Sequence, residues 1–241
     1  MNDPLRLGVL VSGNGTNLQA LLDAIAQGEL LAKILAVVSN KKDAFALERA
    51  KRAGIPAFYL DPKKFQSREE YDEALARIFL ERNVELVVLA GFMRILSTKF
   101  LQYFPNRVIN VHPALLPEDP EKEEVLLPDG SFSKVFRGKD AVKQALEAGV
   151  AWSGCTIHLV TEKVDCGPIL ERAFVPVISF DTLESLHTRI QKEEHRLLPK
   201  AIKAYGKKLK KQLAFTLNNK GRSHSSSSSN GTSTPLPLKI F

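Results

Sequence analysis

Short apolar runs alternate with segments of helical period along the first half of the chain. The apolar runs predict buried strands at residues 7–11, 34–38, 56–60, 86–90 and up to 112. The segments of helical period predict helices at residues 18–25, 44–53 and 68–82. This order predicts an α/β fold, a doubly wound and mostly parallel sheet with helices on both faces, Rossmann-like in architecture.

The carboxyl ends of the strands are where such a sheet binds its ligands. The search for a site therefore starts with the residues that follow Val11, Val38, Ala90 and Val111.

The pattern changes after residue 112. Residues 113–136 are rich in Pro and Glu and have no clear period, and a connection of this length inside a domain is usually functional or an insertion. The remaining predicted elements are a helix at 139–148, strands at 154–160 and 169–177, and a long amphipathic helix at 183–205.

Composition divides the chain at residue 205. With 44% hydrophobic and 25% charged residues among 241, the chain is of ordinary globular type, and we expect one catalytic domain at residues 1–205. The formal charge of +7 matches the seven Lys and Arg residues of 206–241, which contain no acidic residue, so residues 1–205 have zero net charge. The basic, Ser-rich segment 206–241 predicts a disordered tail. A solubilising extension is favoured over a nucleic-acid or membrane contact, so neither partner is expected.

The cysteines and the N-terminal residues indicate a compartment. Cys155 and Cys166 are separated by ten residues, which matches no metal-ligand spacing and favours a reduced environment. The first residues lack the pattern of a secretory signal, and no apolar run is long enough to span a membrane. We therefore expect a cytoplasmic protein.

The loop Ser12-Gly13-Asn14-Gly15-Thr16-Asn17 joins the first strand to the first helix. Its backbone N–H groups would form an anion site, Gly13 and Gly15 would permit positive φ, and Thr16 or Asn17 could donate to phosphate oxygens. The spacing matches neither the dinucleotide fingerprint nor a Walker loop, because Leu18 occupies the third glycine position and no lysine follows. A phosphate site is favoured over a plain tight turn with a helix cap.

Asn110 and His112 lie at the end of a predicted strand, where alternation places them on the same side. An amide and an imidazolium could together stabilise the oxyanion of an acyl-transfer intermediate, although a lone strand-end histidine is more often structural. Asp165 precedes Cys166-Gly167, and its carboxylate would raise the pKa of His112 if it faced the same cleft. The alternative interpretation of Asp165 is an ordinary turn residue with no role in the site.

A second loop, Gly91-Phe92-Met93-Arg94-Ile95-Leu96, follows the fourth predicted strand. It is either a groove for a flat heteroaromatic ligand or a connection whose apolar residues pack inward. Since no Gly-x-Ser-x-Gly elbow occurs and neither cysteine has local signs of activation, direct attack by an amine is simpler than a covalent enzyme intermediate.

Taken together, these residues resemble the glycinamide ribonucleotide formyltransferases, folate-dependent enzymes of de novo purine synthesis. The matching blocks follow the order of that family from about residue 5 to about residue 205. They are Ser12-Gly13-Asn14-Gly15-Thr16-Asn17-Leu18-Gln19-Ala20, Ser39-Asn40-Lys41, Ser67-Arg68, Leu89-Ala90-Gly91-Phe92-Met93-Arg94-Ile95-Leu96, Asn110-Val111-His112-Pro113-Ala114-Leu115-Leu116-Pro117, Gly154-Cys155-Thr156-Ile157-His158, and Asp165 with Gly167-Pro168-Ile169.

The resemblance implies a reaction and its residues. The formyl group of 10-formyltetrahydrofolate would pass to the amine of glycinamide ribonucleotide, giving formylglycinamide ribonucleotide and tetrahydrofolate without a metal. Asn110 and His112 would polarise the formyl oxygen, and Asp165 would keep His112 protonated. The residues implied to hold the ribonucleotide are Gly15, Thr16, Asn17, Gln191, Lys192, Glu193 and Glu194. Those implied to hold the folate are Arg68, Met93, Arg94, Ile95, Leu96, Asn110, Thr161, Glu162, Lys163, Val164 and Asp165. The expected partners are these small molecules, and the expected assembly is a monomer or a homodimer.

One segment departs from the family pattern, because residues 118–135 intervene between Leu-Leu-Pro and Phe136-Arg137-Gly138. A surface insertion is expected there, since longer loops cost little entropy. Formyltetrahydrofolate deformylase shares the Asn-x-His and Asp arrangement but carries an extra N-terminal domain, whereas the first strand here begins near Leu5. A non-catalytic nucleotide-binding module of the same fold is the other alternative, and the retention of Asn110, His112 and Asp165 disfavours it.

Overall fold

The computed structural model describes residues 3–138 and 140–224, with side chains through residue 215. It divides into two compact units, Met1–Gly206 and a second one that begins at Lys207. The first unit contains all the strands of the described chain.

The first half of the chain has the predicted alternation of strands and helices. The strands are β1 (Leu5–Val11), β2 (Ala32–Ser39), β3 (Ala57–Tyr59), β4 (Leu86–Leu89) and β5 (Val108–His112). The helices are α1 (Thr16–Ala26), α2 (Phe45–Arg52), α3 (Arg68–Leu80) and α4 (Thr98–Tyr103), and Pro62–Lys64 forms a short 3-10 turn. The sequence pattern missed α4, because a helix of six residues is too short to display a helical period.

The described strands form one seven-stranded sheet in the order β3-β2-β1-β4-β5-β8-β9, where β8 is Trp152–Leu159 and β9 is Ile169–Pro176. The pairs among β1 to β5 are parallel, whereas β8 runs antiparallel to β5 and β9 antiparallel to β8. The predicted α/β fold with a mostly parallel sheet is therefore confirmed. Because β8 is antiparallel to β5, Thr156 pairs with His112 and Leu159 pairs with Ile109, so the turn after β8 starts beside the first residues of β5.

The centre of the sheet is apolar on both faces. Every residue of β4 is buried, and β1 has one partly exposed residue. On one face Tyr71, Leu75 and Phe79 of α3 are fully buried against the strands. A side chain at Gly8 would meet the Phe79 ring at 2.7 Å, so β1 needs a glycine where the helix approaches it.

The connection after β5 contains a hairpin that the sequence pattern did not predict. Its strands are β6 (Glu124–Leu126) and β7 (Phe132–Lys134), which pair only with each other among the described strands. The expectation of a segment without regular structure was wrong here, because strands of three residues are too short to show alternation. Val125 and Leu127 anchor the hairpin by packing against Leu115.

Two helices complete the described chain, α5 (Ala141–Glu147) and α6 (Leu183–His224). The prediction that the last helix ends at Tyr205 was wrong, because it continues through His224. Residues 207–214 consist entirely of Lys, Leu, Gln and Ala, which are strong helix formers. The rest of the predicted disordered tail, residues 225–241, lies outside the described residues. No helix in the described ranges is both long and apolar enough to cross a membrane.

Candidate active site

A cavity of about 720 Å³ opens at the carboxyl edge of the sheet. It is bordered by the loops that follow β1 and β4, by the end of β5, by the turn between β8 and β9, and by one face of α6. The cavity lies beyond the carboxyl ends of the strands, where the sequence analysis expects the site. A second cleft of about 920 Å³ lies between α1, β2 and α2 and contains none of the predicted site residues.

Asn110, His112 and Asp165 converge on this cavity, and all three line it. His112 and Asp165 are buried, with 3% and 9% exposure. Asp165 Oδ2 lies 3.5 Å from His112 Nδ1 and accepts a hydrogen bond of 3.0 Å from the Gly138 N–H. The other ring nitrogen, His112 Nε2, lies 2.8 Å from the Phe136 carbonyl oxygen, and since a carbonyl can only accept, Nε2 carries a proton.

The turn that carries Asp165 is unusually tight. Asp165 has a left-handed φ of 54°, a conformation that aspartate tolerates better than most residues. Two residues later, a side chain at Gly167 would lie 1.7 Å from the Leu159 carbonyl oxygen, so only glycine fits against the end of β8. These two backbone constraints aim the Asp165 carboxylate at His112.

The charges of this pair depend on burial and on each other. Burial works to raise the pKa of Asp165, but the His158 hydrogen bond, the charge of His112 and the Gly138 N–H outweigh it and lower the pKa to about 2. Burial lowers the pKa of His112, and the Asp165 charge and the Phe136 carbonyl oppose this only in part. Asp165 thus acts on the pKa of His112 in the predicted direction, against the larger effect of burial.

Of the two glycines in the loop after β1 that were expected to have a positive φ, one has it. Gly15 has a φ of 76° at the start of α1, and a Cβ there would lie 2.5 Å from the Ala46 Cβ, whereas Gly13 has no positive φ. In the described chain no side chain caps α1. The N–H groups of its first turn, in residues that line the cavity, therefore form the kind of site that binds an anion.

Asn17 lines the cavity and also makes a contact within the protein. Its Nδ2 donates to Glu194 Oε2 at 2.8 Å, which links α1 to α6. Glu194 is only 5% exposed, and its burial raises the pKa of its carboxyl group against the opposing effect of the Asn17 hydrogen bond. Of the other predicted residues on α6, Gln191 lines the cavity, while Lys192 and Glu193 do not.

The loop after β4 combines both alternatives that its sequence left open. Met93 and Ile95 are 65% and 57% exposed and line the cavity, together with Arg94, whose guanidinium lies 4.9 Å from the centre of the Tyr71 ring. Leu96 instead packs inward, in the core cluster of α3 and α4.

In the turn after β8, too, some of the predicted residues line the cavity and others do not. Thr161 and Val164 line the cavity, whereas Glu162 and Lys163 do not, and neither does Arg68 at the start of α3. Arg68 pairs with Glu69 at 3.7 Å. The residues described contain no group of three or more His, Cys, Asp and Glu that could hold a metal ion.

Comparison with known proteins places this geometry in a family. The sequence profile described as "Formyl transferase" matches residues 5–202. The chain belongs to the formyltransferase family. A phosphoribosylglycinamide formyltransferase of Haemophilus influenzae is 38% identical over 213 residues, which cover 87% of this chain and 92% of that protein. The crystal structure of glycinamide ribonucleotide transformylase 1 from Symbiobacterium toebii superimposes with a TM-score of 0.77 at 44% identity and covers 86% of this chain and 90% of that one.

Some relatives are much longer than this chain. The trifunctional purine biosynthetic protein adenosine-3 of Gallus gallus is 42% identical over 198 residues, which are 82% of this chain but only 18% of that protein.

His158 lines the cavity and is a residue that the sequence reasoning did not single out. Its Nε2 lies 3.2 Å from Asn110 Nδ2 and 3.5 Å from Asp165 Oδ1, and its Nδ1 lies 2.9 Å from the Leu159 carbonyl oxygen. His158 is the register partner of Asn110 in the antiparallel pair β5–β8. The alternation of side chains along β8 could have predicted which face His158 lies on. Its pairing with Asn110 of β5 is seen only in the tertiary structure.

Ser12 is a second residue of the cavity lining to which the sequence analysis gave no individual role, and it joins three loops. Its Oγ donates to Asn40 Oδ1 at 2.6 Å and accepts from the Met93 N–H at 2.8 Å. The loops after β1, β2 and β4 are therefore tied together at the edge of the cavity.

Proposed function

We propose that this chain transfers the formyl group of 10-formyltetrahydrofolate to the amine of glycinamide ribonucleotide, a step of de novo purine biosynthesis. The observation that carries this proposal is the convergence of Asn110, His112 and Asp165 between an anion-binding loop and an apolar rim. Relatives named phosphoribosylglycinamide formyltransferase, which match over most of their own length, support it. The further activities that the name of the trifunctional relatives indicates are not part of the proposal.

The ribonucleotide occupies the side of the cavity formed by α1 and α6. Its phosphate binds the N–H groups at Gly15, Thr16 and Asn17, because a helix N-terminus attracts an anion. Glu194 and Gln191 face the remainder of that molecule. A carboxylate in this position can accept from ribose hydroxyls or from the amine, with Asn17 holding it in place.

The folate occupies the opposite side. Its flat ring system lies along the exposed Met93 and Ile95, with Thr161 and Val164 on the other border. Apolar walls with a few polar groups are typical of sites for heteroaromatic ligands. Arg68, Leu96, Glu162 and Lys163 lie outside the cavity lining and carry no assigned contact in this arrangement.

The reaction proceeds by direct attack of the glycinamide amine on the formyl carbon. The Asn110 amide donates to the formyl oxygen, and the imidazolium form of His112 stabilises the negative charge that develops there. That charge favours proton uptake at Nδ1 of His112, which faces Asp165. The tetrahedral intermediate then collapses as the bond to the folate nitrogen breaks, and the proton lost by the amine passes to that nitrogen through water. Asn110 and His112 stabilise the charge on the formyl oxygen, which is the role that a metal ion would otherwise have.

The test is release of tetrahydrofolate by purified protein given 10-formyltetrahydrofolate, with and without glycinamide ribonucleotide. Release that requires the ribonucleotide is the expected result, and His112→Ala is expected to lower kcat by about a hundredfold or more. Release without the ribonucleotide would indicate a deformylase instead. If no folate were released under either condition, the proposed activity would be wrong.

We also propose the extent of the catalytic domain, its oligomeric state and its compartment. The catalytic domain is residues 1–205, acting as a monomer or homodimer in the cytoplasm with small molecules and no nucleic acid as partners. The two free cysteines, of which Cys155 is buried, fit a reducing compartment. Light scattering coupled to gel filtration measures the oligomeric state directly.

A further inference from the structure

The segment Phe136-Arg137-Gly138 touches both members of the His112–Asp165 pair through its backbone. The Phe136 carbonyl accepts from His112 Nε2 at 2.8 Å, and the Gly138 N–H donates to Asp165 Oδ2 at 3.0 Å. Arg137 lies between these two contacts in the chain. Whatever holds Arg137 therefore sets the position of two groups that orient the catalytic side chains.

The insertion holds Arg137. Its Nη1 donates to both carboxylate oxygens of Glu123 at 3.0 Å, and its Nη2 donates to the carbonyl oxygens of Pro120 and Lys122 at 3.2 and 3.3 Å. The Val135 N–H also donates to the Glu123 carbonyl at 2.9 Å. The Arg137 side chain is 21% exposed, so this guanidinium is largely enclosed by the insertion.

The contacts of Arg137 are needed because of the length of the insertion. A connection of about 20 residues has many open conformations, and without internal anchors its last residues would sample them. The planar guanidinium can satisfy a carboxylate and two carbonyls at once, which fixes the chain direction at Arg137. The packing of Phe136 against Ala114 and Ala141 secures the other side of the segment.

We propose that Arg137 is a positioning residue through which the 118–135 insertion braces the catalytic pair. The insertion then is part of the machinery that orients the His112 ring and the Asp165 carboxylate. The kinetic test of this inference rests on the proposed formyl transfer. A second test, by NMR, uses the ligand-free protein and does not depend on that activity.

Arg137→Met and Glu123→Gln test the brace, and Arg172→Met is the matched control. Arg172 has a similar exposure of 19% and also ties down the insertion, through Glu118 Oε1 at 3.4 Å and the Leu116 carbonyl. Arg172 is not adjacent in sequence to a residue that contacts His112 or Asp165. Glu123 is 73% exposed, so its substitution leaves the core intact.

In the kinetic test, Arg137→Met is expected to lower kcat by about tenfold to a hundredfold with KM for both substrates nearly unchanged, since a displaced catalytic group loses alignment rather than binding. Arg137→Lys is expected to restore part of this loss. Arg172→Met is expected to lower the melting temperature but to leave kcat within about twofold. Equal kcat in Arg137→Met, Glu123→Gln and the unmodified protein would overturn the proposal.

A spectroscopic test uses the ligand-free protein and separates this inference from the activity. In ¹⁵N-labelled protein, with the His112 signals assigned by loss in His112→Gln, the Nε2 proton bonded to Phe136 is expected to exchange slowly with solvent. Faster exchange is expected in Arg137→Met and Glu123→Gln but not in Arg172→Met. Unchanged exchange in both brace variants would show that the insertion does not hold the pair, whether or not formyl transfer is found.

Discussion

Asp165 illustrates how single residues set the chemistry of the site. Its carboxylate lies 3.5 Å from both His112 and His158, and it is one of few non-glycine residues in the described chain with a positive φ. Strain of this kind persists where the surrounding structure over-determines a conformation, and it is frequent at functional sites. The carboxylate therefore depends on its turn, and the histidines depend on the carboxylate.

Asp165→Asn should lower the pKa of His112 further and reduce kcat by about a hundredfold. Burial already lowers the pKa of His112, and the Asp165 charge is the strongest influence that opposes it. An NMR titration of the His112 ring measures the shift, with Glu121→Gln as the control, since that carboxylate is exposed and not among the groups that act on His112. A higher pKa in Asp165→Asn would contradict this account of the site.

Glu194→Gln should stabilise the protein at neutral pH and weaken the binding of the ribonucleotide. Burial raises the pKa of the Glu194 carboxyl group, so the folded state binds that proton more tightly than the unfolded chain does. Its contribution to stability is then present below the unfolded pKa and is lost as pH rises through the raised folded value. Thermal unfolding is expected to show a higher Tm for the variant at pH 7 and a smaller difference at pH 4. A Tm advantage that grew toward acid pH would reverse the assigned sign.

At the scale of elements, the site depends on where turns meet strand ends. The turn from Leu159 to Ile169 returns the chain against β8, and the Leu159 N–H donates to the Pro168 carbonyl at 2.9 Å. The approach is so close at Gly167 that a methyl group would overlap the Leu159 carbonyl. The same turn carries Asp165, so the stability of the fold and the geometry of the candidate site depend on one backbone constraint.

Gly167→Ala should destabilise the protein by about 3 kcal/mol, because overpacking forces the turn away from β8. Gly13→Ala is the matched control for stability, since a Cβ there meets nothing within 4 Å and the residue has no positive φ. Chemical denaturation of both variants measures the difference in the free energy of unfolding. Equal free energies of unfolding would mean that the turn relaxes at no cost.

The whole molecule consists of a unit that ends at Gly206 and a second one that begins at Lys207. The match to the formyltransferase family ends at residue 202, before this boundary. The predicted excess of positive charge lies beyond the boundary as well. Catalysis is therefore expected to need only the first unit.

A chain that stops at Gly206 should keep kcat within about twofold of the full chain. The residues that line the cavity all precede residue 195, so the shortened chain retains the whole site. Steady-state kinetics of both chains, with circular dichroism to check folding, measures this. A folded but inactive shortened chain would assign the Lys-rich segment a catalytic or binding role.

The sequence by itself determined the architecture and predicted the residues of the candidate site. Apolar strands alternating with helical periods predict a mostly parallel sheet, because both faces of such a sheet must be covered by helices. Asn110 and His112 could be placed on the same side of a strand for the same local reason, the alternation of side chains. The sequence indicated a positive φ at both Gly13 and Gly15, and of these two only Gly15 has one.

Only the tertiary structure decided how these parts meet. The antiparallel pairing of β8 with β5 places His158 beside Asn110. The burial of His112 lowers the pKa of its ring, although the negative charge of Asp165 opposes this effect. The contact of Asn17 with Glu194 spans 177 positions, and Arg137 reaches back 14 positions to Glu123. Local patterns report the period and propensity of neighbouring residues, whereas burial, register and long-range contacts exist only once the chain has packed.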